Sequence, residues 1–255
     1  MRGGICFLAL VMPTLAAAYP DDPYRSPMWD YNLDRYLGDG AEVVLDERID
    51  LKVPPFAEDS AQVPLTVDLS AFDRPVQTVI TWVDLNPIPH LFTVEPNTRV
   101  SVVSLNFRVQ QATTVRAAVQ DAAGVWHVSS AHVDAAGGGC TAPSVASANP
   151  DWEATFGQIR GGAFSPVDRS RLKVSVRHPM DSGMVGNIPA FHIERLELRA
   201  GRGEANLLTM TLSESAAENP VFVFELPDAP PVYDVWMRDN NGNQFERIVD
   251  NGGAR

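Results

Sequence analysis

The chain has 255 residues, 45% of them hydrophobic, and a formal net charge of −12 at pH 7 with acidic residues scattered along its length. Such a surface repels phosphate backbones and anionic lipid, which makes nucleic acid and membrane surfaces poor partners. It is long enough for one large β domain or two domains of about 100 to 150 residues.

The first residues place Arg2 before an apolar run from Ile5 to Ala18 that ends in Ala16, Ala17 and Ala18. That is the layout of a cleaved secretory leader, and residues 1–18 are read as one. The run falls short of the roughly 20 apolar residues of a membrane span, and acidic, proline-containing sequence follows from Tyr19 to Pro23. Of the two cysteines, Cys6 belongs to the leader and would leave with it. Cys140 then has no partner for an internal disulfide, and an unpaired thiol in an oxidising compartment calls for an explanation.

Beyond the leader, Trp29, Leu33, Tyr36 and Leu37 fall at helical spacing before Gly38, which predicts a short helix within 26–38. The period then drops to two. Runs at 63–69, 78–85, 100–109, 114–120 and 125–133 read as strands, separated by turn residues such as Asn86-Pro87 and Asp121-Ala122-Ala123-Gly124. His90 reads as part of a proline-flanked loop. The stretch 135–168, rich in Gly, Ala, Ser and Pro with few large apolar residues, reads mostly as a flexible arm and linker. The β pattern resumes at 171–177, 191–199, 206–212, 221–226 and 232–238. Two blocks of short strands joined by a glycine-rich connector predict an all-β protein of two immunoglobulin-like sandwiches with a short leading helix. The expected division is a leader at 1–18, a first domain at 19–134, an arm and linker at 135–168, and a second domain at 169–255.

The chemistry points to Gly137-Gly138-Gly139-Cys140. Three glycines add nothing to a core and cost entropy to order, but six extended residues from Ala135 to Cys140 reach about 20 Å and would carry a sulfur into a narrow channel. A thiolate is both nucleophile and leaving group, which suits repeated loading and unloading of a covalent adduct. With no second cysteine to resolve it, release would fall to another protein. The histidines are weaker candidates. His127 and His132 lie at odd spacing on one strand, and His90, His178 and His192 stand at no recognisable ligand spacing, so no metal or other cofactor is expected. Nor does any Gly-x-Ser-x-Gly elbow, His-Glu-x-x-His, phosphate loop or dinucleotide fingerprint occur; a non-enzymatic role is expected.

The second block resembles SoxZ. The resemblance lies in His178-Pro179-Met180-Asp181-Ser182-Gly183, Ile188-Pro189-Ala190, Ser215-Ala216-Ala217-Glu218-Asn219-Pro220 before Phe222 and Phe224, and Trp236 with Asp239-Asn240-Asn241-Gly242. The first block resembles SoxY through Val63-Pro64-Leu65-Thr66-Val67, Asn86-Pro87-Ile88-Pro89 with Phe92, Thr114-Val115-Arg116-Ala117, and Gly138-Gly139-Cys140. The resemblance implies a periplasmic carrier whose Cys140 presents sulfur intermediates to separate enzymes. In that family the cysteine lies near a free carboxyl terminus. Here Thr141-Ala142-Pro143 follows and the chain runs on, so the arm is tethered at both ends. The fused order resembles SoxYZ-like carriers associated with quinoprotein dehydrogenases. The alternative is therefore an accessory interaction module for a periplasmic quinoprotein (PQQ-dependent) dehydrogenase.

Overall fold

The computed structural model describes residues 19–144, 151–165, 169–227 and 230–252; residues 1–18, expected to be a leader and holding Cys6, lie outside them. Helix α1 (Trp29–Leu37) is followed by β1 (Val43–Leu45), β2 (Asp50–Lys52), β3 (Phe56–Ala57), β4 (Val63–Asp68), β5 (Val76–Val83), β6 (His90–Pro96), β7 (Val102–Phe107), β8 (Thr113–Asp121) and β9 (Trp126–Ala135). After a 3₁₀ turn at Gly139–Thr141 come α2 (Trp152–Thr155), β10 (Ile159–Phe164), β11 (Ser170–Val176), β12 (Ile193–Arg199), β13 (Asn206–Leu212), β14 (Val221–Leu226), β15 (Val232–Asp239) and β16 (Gln244–Asp250).

These strands build two sheets, each crossing from the first half of the chain into the second. The larger runs β1-β9-β8-β5-β6-β13-β12-β15-β16 with β3 beside β9, and the smaller runs β10-β11-β14-β7-β4-β2. The two immunoglobulin-like sandwiches are thus joined edge to edge at two seams. At one, β6 pairs antiparallel with β13, setting Phe92 opposite Leu212 and Val94 opposite Met210. At the other, β7 pairs with β14, setting Val103 opposite Phe224. Each half alone would expose these strand edges, whose free N–H and C=O groups invite aggregation. Inward side chains of both halves, among them Phe92, Val103, Leu105, Phe222 and Phe224, form one continuous core.

Three segments depart from the sequence expectation. His90 opens β6, a seam strand: Pro87 and Pro89 mask the alternation of Leu91, Thr93 and Glu95 with Phe92 and Val94. The stretch 135–168 is only partly connector, because β10 pairs with β11 along its whole length and Phe156 packs against His178, Phe191 and Phe245. Residues 43–57 and 244–250 add short strands where no pattern stood out. The leading helix covers the outer face of the large sheet, burying Trp29 and Leu33 against Ile80, Trp82 and Trp126. Beneath it, Arg116 of β8 joins Asp22 to Asp84.

Candidate functional site

The glycine segment does not stand free. Beyond β9 the chain turns at Gly137 (φ 101°) and Gly138 (φ 83°), left-handed conformations that glycine adopts without a side-chain clash. That turn seats the next residues against the chain leaving β7. The amide of Gly138 donates to Gln110 O (3.1 Å) and that of Gly139 to Val109 O (3.0 Å), and Thr141 N closes the turn on Gly138 O (3.2 Å). At Gly139 the need is space, since a Cβ there would lie 1.9 Å from Ser60 O and 2.7 Å from Val109 O. This corrects the expectation that Gly137, Gly138 and Gly139 form an unpacked arm: two serve the turn, and the third permits close backbone approach.

The second half supplies the opposite wall. Ser182 Oγ donates to the carbonyl of Cys140 (2.8 Å). Arg108, at the end of β7, donates from Nη1 to Ala142 O (3.2 Å) and from Nη2 to Pro179 O (3.4 Å), linking the docked segment to the His178–Gly183 loop. That loop is itself fixed. Met180 takes a left-handed φ of 50°, its amide donates to His178 Nδ1 (3.1 Å), and its sulfur accepts from Ile193 N (3.3 Å). Cys140 therefore lies at the junction of the two halves, 3% exposed, flanked by exposed Ala136, Thr141 and Pro143.

Burial sets the electrostatics. The Cys140 thiol is pushed up from 9.0 to about 11 by desolvation, against a smaller downward pull from Arg108. Docking thus lowers the thiolate fraction at neutral pH about a hundredfold, leaving a thiol that is neither a good nucleophile nor a leaving group. A raised acid pKa means that docking is fully favoured below 9.0 and loses that contribution as pH rises through about 11. Arg108 is 2% exposed. Burial lowers its own pKa, offset by Glu218, Asp181 and Cys140, and its Nε has no hydrogen-bond partner.

His178 anchors the loop from below. It packs on Phe191 with ring centroids 4.5 Å apart, and its Nε2 faces Asp239 Oδ2 at 3.5 Å. Because Nδ1 accepts from Met180, the proton of the neutral ring sits on Nε2. Burial lowers the His178 pKa in spite of Asp239, and His90 and His192 shift the same way for the same reason. A depressed base gives stability that is complete above its ordinary 6.5 and declines as pH falls below it, because the unfolded chain takes a proton that the buried ring refuses. The melting temperature should therefore drop between about pH 7 and 5, and His178→Gln should flatten that slope in a thermal melt series.

Among the described residues, no group of three or more His, Cys, Asp and Glu side chains is arranged to hold a metal, and no helix is long and apolar enough to cross a membrane. Sequence reasoning singled out Cys140 and the loop holding Ser182 but missed Arg108 and Ser60. Arg108 follows Ser104 and Asn106 in the polar alternation of β7, so the local pattern marks it as one more outward residue; Ser60 contributes only its backbone and left no signal.

The fold and the site define a tandem β-sandwich protein with a glycine-flanked thiol at its internal seam. Residues 33–140 match the family model "Sulfur oxidation protein SoxY" and residues 165–250 match "Sulphur oxidation protein SoxZ". In tandem the two cover most of the chain, which belongs to the SoxY and SoxZ families in fused form and is a SoxYZ-type carrier of sulfur oxidation. The SoxY match ends on Cys140 itself. No curated protein matches the sequence. Among solved structures, the sulfur carrier protein SoxY from Chlorobium limicola f thiosulfatophilum is 22% identical, with a TM-score of 0.38 over 42% of this chain and 94% of that one. A variant of the superoxide reductase (neelaredoxin) from Ignicoccus hospitalis is 11% identical, with a TM-score of 0.29 over 34% of this chain and 77% of that one. Similarities this low carry no functional argument.

Proposed function

We propose that the protein is a periplasmic covalent carrier in which Cys140 holds sulfur-containing intermediates and presents them to sulfur-oxidation enzymes. It alternates between the docked state and a released state in which the thiol projects from the seam. The observation that carries this reading is the position of Cys140: it ends the SoxY match on a glycine run and is held by contacts that few bonds would need to break to release. Four hydrogen bonds described above tie the segment to its dock, through Gln110, Val109, Ser182 and Arg108. At about 0.5–1.5 kcal/mol each, they make release far less costly than unfolding a sandwich. Released, the sulfur reaches about 17 Å from Ala135 along five extended residues.

The periplasmic assignment rests on the leader-like residues 1–18. Intact-mass analysis of mature protein from its native host should show adducts that disappear in Cys140→Ser. An unmodified thiol under every growth condition would count against the reading.

The burial of Cys140 and its double tether favour a second reading, an accessory module for a quinoprotein dehydrogenase in which the cysteine is dispensable. Full complementation of a deletion strain by Cys140→Ala would select it, and loss of function in that strain would reject it.

A further inference from the structure

We propose that the outer face of β10 and β11 is a docking groove for an acidic, extended segment of a partner protein; this inference does not depend on chemistry at Cys140. On a chain of net charge −12, Arg160, Arg169, Arg171, Lys173 and Arg177 crowd into one short stretch. The alternation of β11 turns Leu172, Val174 and Val176 into the core and leaves Arg171 and Lys173 exposed on the outer face. The pairing with β10 sets Phe164 opposite Arg171, Gly162 opposite Lys173 and Arg160 opposite Ser175. Because Gly162 has no side chain and nothing lies within 4 Å of where its Cβ would be, a shallow trough of about 520 Å³ opens there, bordered by Arg160, Phe164, Arg171 and Lys173.

Charge and spacing specify the occupant. Arg171 Nε donates to the buried carboxylate of Glu225 at 2.5 Å, but Arg160 and Lys173 have no ion-pair partner among the described residues. The groove is therefore net positive on an acidic molecule, an arrangement that orients an incoming acidic surface during encounter. Arg160 and Lys173 stand on neighbouring strands two positions out of register, about 7–8 Å apart on the diagonal, close to the spacing of alternate side chains on an extended peptide. A segment lying along the trough sets alternate carboxylates over these cations, and an apolar side chain covers Phe164, which is 70% exposed.

The test is fluorescence anisotropy of the full chain with a labelled peptide alternating glutamate and leucine, against one alternating lysine and leucine. Binding should select the glutamate peptide and weaken with salt. It should fall at least about tenfold in Arg160→Glu with Lys173→Glu, and also in Gly162→Leu, which fills the trough without changing charge. Should the reversed charges disturb folding, Arg160→Gln with Lys173→Gln gives the same readout. Absence of binding, or binding that these variants leave unchanged, overturns the proposal. Wild-type self-association abolished by the same changes also overturns it, making the face a contact between copies.

Discussion

Replacing Gly139 with alanine should raise the labelling rate of Cys140 by about 10- to 100-fold while leaving both sandwiches folded. The backbone at Gly139 is not in the left-handed region, so alanine meets no conformational penalty of its own. Its methyl would, however, stand 1.9 Å from Ser60 O and 2.7 Å from Val109 O, and both are backbone atoms that cannot swing aside as a side chain tip can. Overpacking of this kind costs about 1–3 kcal/mol, to be set against a dock held by a handful of hydrogen bonds. The segment should lift out, and the pH midpoint of labelling should move from about 11 toward the ordinary 9.0. Unchanged labelling in this variant would show that the seam yields at Ser60 instead, and that the glycine is not what fits the segment to its dock.

Arg116→Ala should destabilise the protein by about 3–5 kcal/mol in urea unfolding, the cost of leaving buried charges without their counter-ion. The guanidinium is fully buried, and its Nη2 donates to Asp22 Oδ2 (2.7 Å) and to Asp84 Oδ2 (2.8 Å). It also lies 4.6 Å from the Trp29 ring centroid. Burial pushes the Asp22 pKa up, but the bonds from Arg116 and from the amides of Ser26 and Tyr24 outweigh it and hold the carboxyl below its usual range. Asp84 in addition accepts from Asn32 Nδ2 and Trp82 Nε1. Arg116 therefore ties α1 and the residues before it to the large sheet. Arg116→Lys keeps the charge but loses the two-pronged geometry, and it should fall between wild type and alanine.

Local pattern made most of the fold legible. The runs 206–212 and 221–226 coincide with β13 and β14, and the helical spacing from Trp29 to Leu37 coincides with α1. Period-two alternation and helical spacing are properties of neighbouring residues, so the sequence carries them openly. What stayed hidden depends on distant contacts. β6 looked like a loop because prolines precede it, although its pairing with β13 is what fuses the two sandwiches. β10 looked like linker because Arg160, Gly161 and Gly162 dilute its apolar content. The glycines before Cys140 were the most ambiguous. Glycine serves freedom of motion, left-handed turns and close approach equally well, and only the position of Ser60 O shows that Gly139 serves the last. The partnership of Arg108 with Ala142 and Pro179 likewise joins both halves of the chain, beyond the reach of any local pattern.

A carrier role requires the sulfur of Cys140 to leave its seam without the protein unfolding. The most direct measurement is the labelling rate of Cys140 with a small neutral thiol reagent, followed across urea concentrations below the unfolding transition. Local release exposes little surface, so the rate should stay nearly flat in urea, with an opening free energy well below the global one. A rate that climbs with the full urea dependence of global unfolding would place the thiol out of any partner's reach, and the carrier account would be wrong.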